Sequence, residues 1–257
     1  MRTCYFLFLL AFCISCGHPA GQDVAQPYPE QKGTSVQPVR TLGDIPLPEG
    51  YSRVAGDSGS FMYWLRHLPL RADRTVYLFN GQPKPNQRAQ YAVIDLPVGK
   101  KDLQQCADVV MRLRAEYLFE KPGEAPIAFM DYAGKWYTWK GGKNREAFAH
   151  YLENVFGWCG SASLERQLQK VAYKDLQPGD VLVQGGFPGH AMLVGDMIAD
   201  AGGNKMFLLV QGYQPAQDMH IVLNPGGGGS PWFPLHATDS LVRTPEWVFR
   251  SSHLHRW

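Results

Sequence analysis

Two residues in this chain carry the chemistry of a nucleophile and its base. Cys106 lies in Asp102-Leu103-Gln104-Gln105-Cys106-Ala107-Asp108, which reads as the opening turn of a helix. Exposed N–H groups and the helix dipole favour a thiolate at such a position, and a thiolate is the nucleophile of cysteine hydrolases. Cys106 also falls on the apolar face of that helix, so a buried, inert cysteine is the plain alternative. His190 lies in Gly185-Gly186-Phe187-Pro188-Gly189-His190-Ala191-Met192-Leu193-Val194, at the mouth of a strand behind a Gly/Pro loop. Its imidazole titrates near neutrality and can take a thiol proton. Its plain alternative is a strand-end histidine bonded to backbone. A third group should orient the imidazole through its other nitrogen. Gln211 stands on the next strand, across the turn Gly202-Gly203-Asn204, and a neutral amide suffices for this role. Asp196 is a rival, but it lies along His190's own strand, roughly 20 Å away at 3.3 Å per residue. Asp218 and His220 are further rivals in the loop that follows.

These side chains need a helix and a sheet to position them. Leu103, Cys106/Ala107, Val110, Leu113 and Tyr117 recur at a helical period. Asp102 offers an N-cap with Gln105 three residues on, and Pro122-Gly123 ends the helix. Further helices are expected over 145–156 and 161–169. Strands are expected at 181–184, 190–196 and 206–211, with a fourth at 219–223. Upstream, 75–79 and 91–96 read as a hairpin around Asn80-Gly81, and 127–130 and 136–139 as short strands. Helices followed by an antiparallel meander predict an α+β domain.

Helix-borne Cys, strand-borne His and a polar residue on the neighbouring strand, in that order, resemble the CHAP and NlpC/P60 branches of the papain-like hydrolases. The resemblance rests on Gln105-Cys106 opening a helix, Pro178-Gly179-Asp180 starting a strand, Gly189-His190 leading a strand, and Val210-Gln211-Gly212-Tyr213. It implies a papain-like core in which Cys106 attacks an amide carbonyl, His190 acts as base and then acid, and Gln211 holds the imidazole. It also places Gln105 near the oxyanion. The interval from Cys106 to His190 is long for that family, which leaves the intervening helices as an insertion. A closer resemblance covers nearly the whole mature chain. Asp102 to Asp108, Arg112-Leu113-Arg114-Ala115-Glu116-Tyr117, Pro188-Gly189-His190-Ala191 and Pro215-Ala216-Gln217-Asp218 are similar to domain of unknown function 4846, a bacterial family of mostly exported or lipidated proteins.

The N-terminus supplies an address. Met1-Arg2 precedes an apolar run from Cys4 to Ile14, too short to span a bilayer and of the length of a signal-peptide core. Ile14-Ser15-Cys16-Gly17 resembles a lipobox, with Cys13 where Leu is usual. The expected organisation is a lipoprotein signal peptide over 1–15, lipidated Cys16 and a Gly/Pro/Gln/Ser-rich tether over 16–40, and one globular domain over 41–257. Cleavage by ordinary signal peptidase is the alternative. The formal charge of +2 falls to +1 with Arg2 gone and gives no reason to invoke nucleic acid.

Export predicts a membrane-anchored lipoprotein of the bacterial envelope facing the periplasm, with the membrane and peptidoglycan peptides as partners. The expected activity is a thiol amidase or peptidase that needs neither cofactor nor metal. The alternative is a non-catalytic envelope protein using the same fold as a binding module. A Cys106–Cys159 disulfide is a third reading, although both thiols are expected to be unpaired. His253 and His255 alternate near the C-terminus but lack a third metal ligand. Gly226–Gly229 lacks the Lys and Ser/Thr of a phosphate loop. Trp136, Trp139, Trp158, Trp232 and Trp247 are assigned to the core, with one or two available to a groove.

Overall fold

The computed structural model describes residues 39–257. The expected leader, Cys16 and nearly all of the tether lie outside them. In chain order the elements are β1 (Tyr51–Arg53), α1 (Phe61–Arg66), β2 (Gln90–Val93), α2 (Cys106–Glu120), β3 (Ala128–Met130), β4 (Trp136–Thr138), α3 (Arg145–Trp158), α4 (Ser161–Gln167), β5 (Gln169–Lys170) and β6 (Val181–Gln184). They continue with β7 (His190–Asp200), β8 (Lys205–Gln211), β9 (His220–Val222), β10 (Phe233–Leu235), β11 (Leu241–Arg243), β12 (Val248–Arg250) and β13 (Leu254–Arg256). The expected α+β class is correct.

A nine-stranded antiparallel sheet runs β2-β9-β8-β7-β6-β13-β5, with β1 added on β7 and β10 on β8. The β7–β8 hairpin is its spine. β6 covers His190 to Leu193 on the outer edge of β7, pairing Gln184 with His190, and β1 covers the last three residues. A register shift between Val194 and Asp196 marks a bulge in β7.

Alternation along the strands fills two cores. Val181, Val183, Ala191, Leu193, Leu208, Val210 and Ile221 pack under the helices. Leu182, Met192, Val194, Phe207, Leu209 and Val222 point the other way, onto Phe233, Val242 and Phe249. Both faces of the sheet are therefore dry, which explains its near-continuous apolar strands.

Helix α2 is more deeply enclosed than its expected single apolar face. Val109 and Met111 are buried along with Val110, Leu113 and Tyr117. Its cap also falls three residues later than the expected Asp102. Gln105 is the N-cap residue, and its backbone N–H donates to the Asp108 carboxylate at 2.9 Å. Asp102 instead accepts from the Ala216 N–H at 2.7 Å and the Gln105 side chain at 3.1 Å, tying the loop before α2 to the loop after β8.

The expected hairpin of 75–79 with 91–96 does not form. Residues 76–84 fold back on themselves through Leu78 N–H to Gln82 O at 2.7 Å and Lys84 N–H to Val76 O at 2.9 Å. β2 pairs with β9 instead. The N–H groups of Tyr77 and Phe79 go to Asp218 Oδ2 at 2.9 Å and Ala216 O at 2.8 Å. Trp232 is buried, whereas Trp136 and Trp158 are exposed and do not belong to the core. His255 is buried, with Nδ1 donating to His253 O at 2.8 Å. Among the described residues no helix is long and apolar enough to cross a membrane.

Candidate functional site

Cys106 is the first residue of α2, His190 the first of β7 and Gln211 the last of β8. Two glycines let these ends meet. A Cβ on Gly212 would stand 2.6 Å from Val109 Cγ2 and 2.9 Å from Gln105 O, so only glycine lets the end of β8 press on the start of α2. A Cβ on Gly189 would meet Ser161 Oγ at 2.2 Å and Gln184 O at 2.7 Å, which fixes the loop before His190 against α4. The Cys106 sulfur consequently lies against the backbone N–H of Ala191, one residue beyond His190.

The imidazole of His190 is built into a polar chain. Its Nε2 is 3.2 Å from Gln211 Oε1. Gln211 Nε2 lies 3.1 Å from His220 Nε2 and donates to Glu246 Oε2 at 2.7 Å. Glu246 also accepts from Lys84 Nζ at 2.6 Å and from Asn86 Nδ2 at 3.0 Å. The proton positions follow from one end. His220 Nδ1 is 2.9 Å from Asp218 O, and a carbonyl can only accept, so neutral His220 carries its proton there. Its Nε2 then accepts from the Gln211 amide. That leaves Gln211 Oε1 as the acceptor for His190 Nε2–H and assigns the lone pair of neutral His190 to Nδ1.

Burial keeps both imidazoles of this chain neutral. It pushes His190 down to about 4 against the weaker opposing pull of Gln211, and the Lys84 ammonium adds to the effect. His220 is pushed down to about 3, first by burial and then by the same lysine. Tyr213, Trp247 and Phe249 enclose the His190 ring with centroids at 5.0, 5.1 and 5.7 Å.

The thiol departs from expectation. Burial pushes Cys106 up to about 11, and the nearby Asp108 carboxyl adds to this. The N–H groups of Ala191 and Ala107 pull the other way and lose. A helix N-terminus stabilises a thiolate by roughly 1 kcal/mol, too little to offset removing the anion from water. Cys106 and His190 are therefore a neutral thiol and a neutral imidazole in the resting protein. Cys159 is also a free thiol, pushed up to about 12 by burial and then by Asp108 and Asp131.

A cleft of about 450 Å³ opens on Cys106. Gln105, Asp108, Cys159, Ser161 and the loop 186–189 contribute to its walls. The side chain of His190 does not. Strand alternation puts His190 on the face of β7 shared with Met192 and packed on Phe249, whereas α2 covers the face of Ala191 and Leu193. The thiol and the imidazole approach the sheet from opposite sides at the open end of β7.

A sequence profile describes a family called domain of unknown function 4846, and it matches residues 43–256. The chain belongs to this family. No curated protein and no solved structure matches it.

In this member of family 4846, the rivals to Gln211 have other work. Asp196 sits at the β7 bulge and pairs with Arg53 at 2.9 Å and Arg66 at 2.7 Å. Asp218 pairs with Arg71 at 3.0 Å and accepts from the Tyr77 N–H at 2.9 Å. His220 joins the chain at Gln211 because β9 sets the two opposite each other. Glu246 and Lys84 escaped sequence reading. Neither lies in a recognisable pattern: Glu246 reaches Gln211, and Lys84 reaches Glu246, from loops distant in sequence. Gln105 reaches the cleft, but its amide donates to Asp102. Among the described residues no group of three His, Cys, Asp or Glu side chains is placed to hold a metal.

Proposed function

We propose that this chain is a thiol hydrolase of amide bonds, with a papain-like arrangement of Cys106, His190 and Gln211. The observation that carries the reading is the orientation of His190. Gln211 occupies Nε2–H, so the basic Nδ1 is left for a proton, one residue from the N–H that meets the Cys106 sulfur. Cys106 and His190 approach the end of β7 from opposite faces, so turnover requires the two to close on each other; the S–H proton then passes to Nδ1 as sulfur bonds to the substrate carbonyl carbon. The imidazolium returns that proton to the leaving amine as the C–N bond breaks, giving a thioester. Water then attacks the thioester, His190 takes its proton and gives it to sulfur, and the acid and the free thiol are released. Because both partners start neutral, proton transfer accompanies attack instead of preceding it.

The expected address supplies the substrate class. Export, cleavage before Cys16, lipid on Cys16 and a position facing the periplasm put peptidoglycan peptides within reach of the domain. Cys16→Ser tests the anchor: the protein should lose its lipid label and leave the membrane fraction. Incubation with peptidoglycan stem peptides tests the chemistry. New amine termini should appear with the wild type and vanish with Cys106→Ala. Wild type and Cys106→Ala giving identical digests would end the hydrolase reading.

The second reading is a binding module with the same fold. The burial of His190, at 2% exposure, and its absence from the cleft wall favour it. It predicts retention of stem peptides without turnover.

A further inference from the structure

A second cavity, of about 270 Å³, lies between α2 and α3 beside the Cys106 cleft. Leu103 and Phe156 line both, so one wall separates them. With Phe148 and Leu152 these residues give it an apolar floor. Its polar wall is unusual. Gln104 is 2% exposed, its Oε1 accepts from Arg112, and its Nε2 is a buried donor with no partner. An unmet buried N–H is costly, and a bound acceptor would remove that cost.

The surrounding charge selects the kind of acceptor. Lys100, Lys101, Arg112 and Arg145 line the cavity against only Glu116 and Glu153. Lys101 is committed to Glu153 at 2.8 Å, and Arg145 and Arg112 both lean on Glu116. Lys100 has no carboxylate partner among the described residues. A carboxylate satisfies an amide donor and an ammonium together, and charge assistance makes such bonds about twice as strong as neutral ones. The apolar floor suits the short aliphatic side chains that flank such a group.

We propose that this cavity binds a free carboxylate of an acidic peptide whose amide bond lies over Cys106. This assigns a carboxylate subsite to the thiol hydrolase and rests on that reading for the bond cleaved. The carboxylate sits on Gln104 Nε2 and Lys100, and the peptide crosses Leu103 and Phe156 into the cleft.

The test uses the Cys106→Ala protein, so that binding is measured without turnover. The probes are the stem peptide L-alanyl-γ-D-glutamyl-L-lysyl-D-alanine with free carboxylates and the same peptide with every carboxylate amidated. Calorimetry should give at least about tenfold tighter binding of the acid form. Gln104→Leu and the exposed Lys100→Gln should each bring the two affinities within about threefold. Lys100→Gln guards against a folding defect in the buried variant. Equal affinities, no binding of either peptide, or a preference surviving in Lys100→Gln and in folded Gln104→Leu would overturn the proposal. The hydrolase reading fails separately, when wild type leaves the acid peptide uncut although Cys106→Ala still prefers it over the amidated form.

Discussion

Gln211 Oε1 accepts the Nε2 proton of His190 at 3.2 Å, and this single hydrogen bond decides which nitrogen of the imidazole is basic. The two residues belong to adjacent antiparallel strands, and the rest of the Gln211 amide is spent on His220 and Glu246. Rotating the amide would set its NH₂ against a donor and its oxygen against Glu246. The orientation is therefore locked from both ends.

Replacing Gln211 should consequently damage turnover more than binding. In Gln211→Leu, His190 loses its acceptor, and Glu246 and His220 lose a donor. The expected result is a large fall in kcat with a small change in KM on stem peptides. Stability should fall by about 1–3 kcal/mol for each buried group left unsatisfied. A urea midpoint and steady-state kinetics read the two effects. Unchanged kcat in a folded Gln211→Leu would remove Gln211 from the mechanism.

Thiol labelling reports the resting state of Cys106. With its thiol pushed up to about 11, alkylation by iodoacetamide should climb roughly tenfold per pH unit between pH 7 and 9, without a plateau. Cys159, pushed up to about 12, should label more slowly across the same range. A plateau below pH 8 that disappears in His190→Ala would instead show a resting thiolate–imidazolium pair.

Acid should loosen the fold through the buried histidines. His190 is depressed to about 4 and His220 to about 3 from an ordinary 6.5. Above pH 6.5 both are neutral, folded or unfolded, and the stability is full. As the pH falls below 6.5 the unfolded chain takes up protons that the folded chain resists, so stability is lost down toward pH 4 and then 3. Each histidine should contribute a loss of roughly 2 kcal/mol by pH 5. The buried Asp108, raised well above its ordinary value, works in the opposite direction over the same range. The measurement is therefore the difference in urea midpoint between pH 7 and pH 5 for wild type against His190→Gln and His220→Gln. The variants should lose less on acidification, and an identical loss would refute the assignment.

Gly212→Ala tests the contact that brings the strand end to the helix. The added methyl has no room beside Gln105 O, which is backbone and cannot rotate away. Overpacking of this kind costs about 1–3 kcal/mol. The expected outcome is a lower melting temperature together with a changed Cys106 labelling rate. Gly203→Ala, in the exposed β7–β8 turn, is the control for general strain, because its φ of +82° disfavours alanine while its Cβ would meet no neighbour. It should leave Cys106 labelling unchanged.

Some of this was written in the chain itself. The strand over Val181–Gln184 and the α3 start at Arg145 follow from local patterns of apolar residues, turn formers and caps, which act over a few residues. Gln211 was legible beside His190 because one short turn joins their strands, and antiparallel pairing after a tight turn leaves little choice of neighbour. What pairs distant segments was not legible. β2 exchanged its expected hairpin partner for β9, and β13 at the C-terminus inserted between β5 and β6. Glu246 reached the Gln211 amide, and Lys84 reached Glu246, only in the assembled fold. The clearest reversal is Cys106. Its place at a helix start favours a thiolate, and that much the sequence by itself determines. The enclosure of α2 on nearly every side is a property of the assembled fold. Removing the sulfur from water outweighs the pull of the helix dipole, and only the tertiary structure decided that the thiol rests neutral.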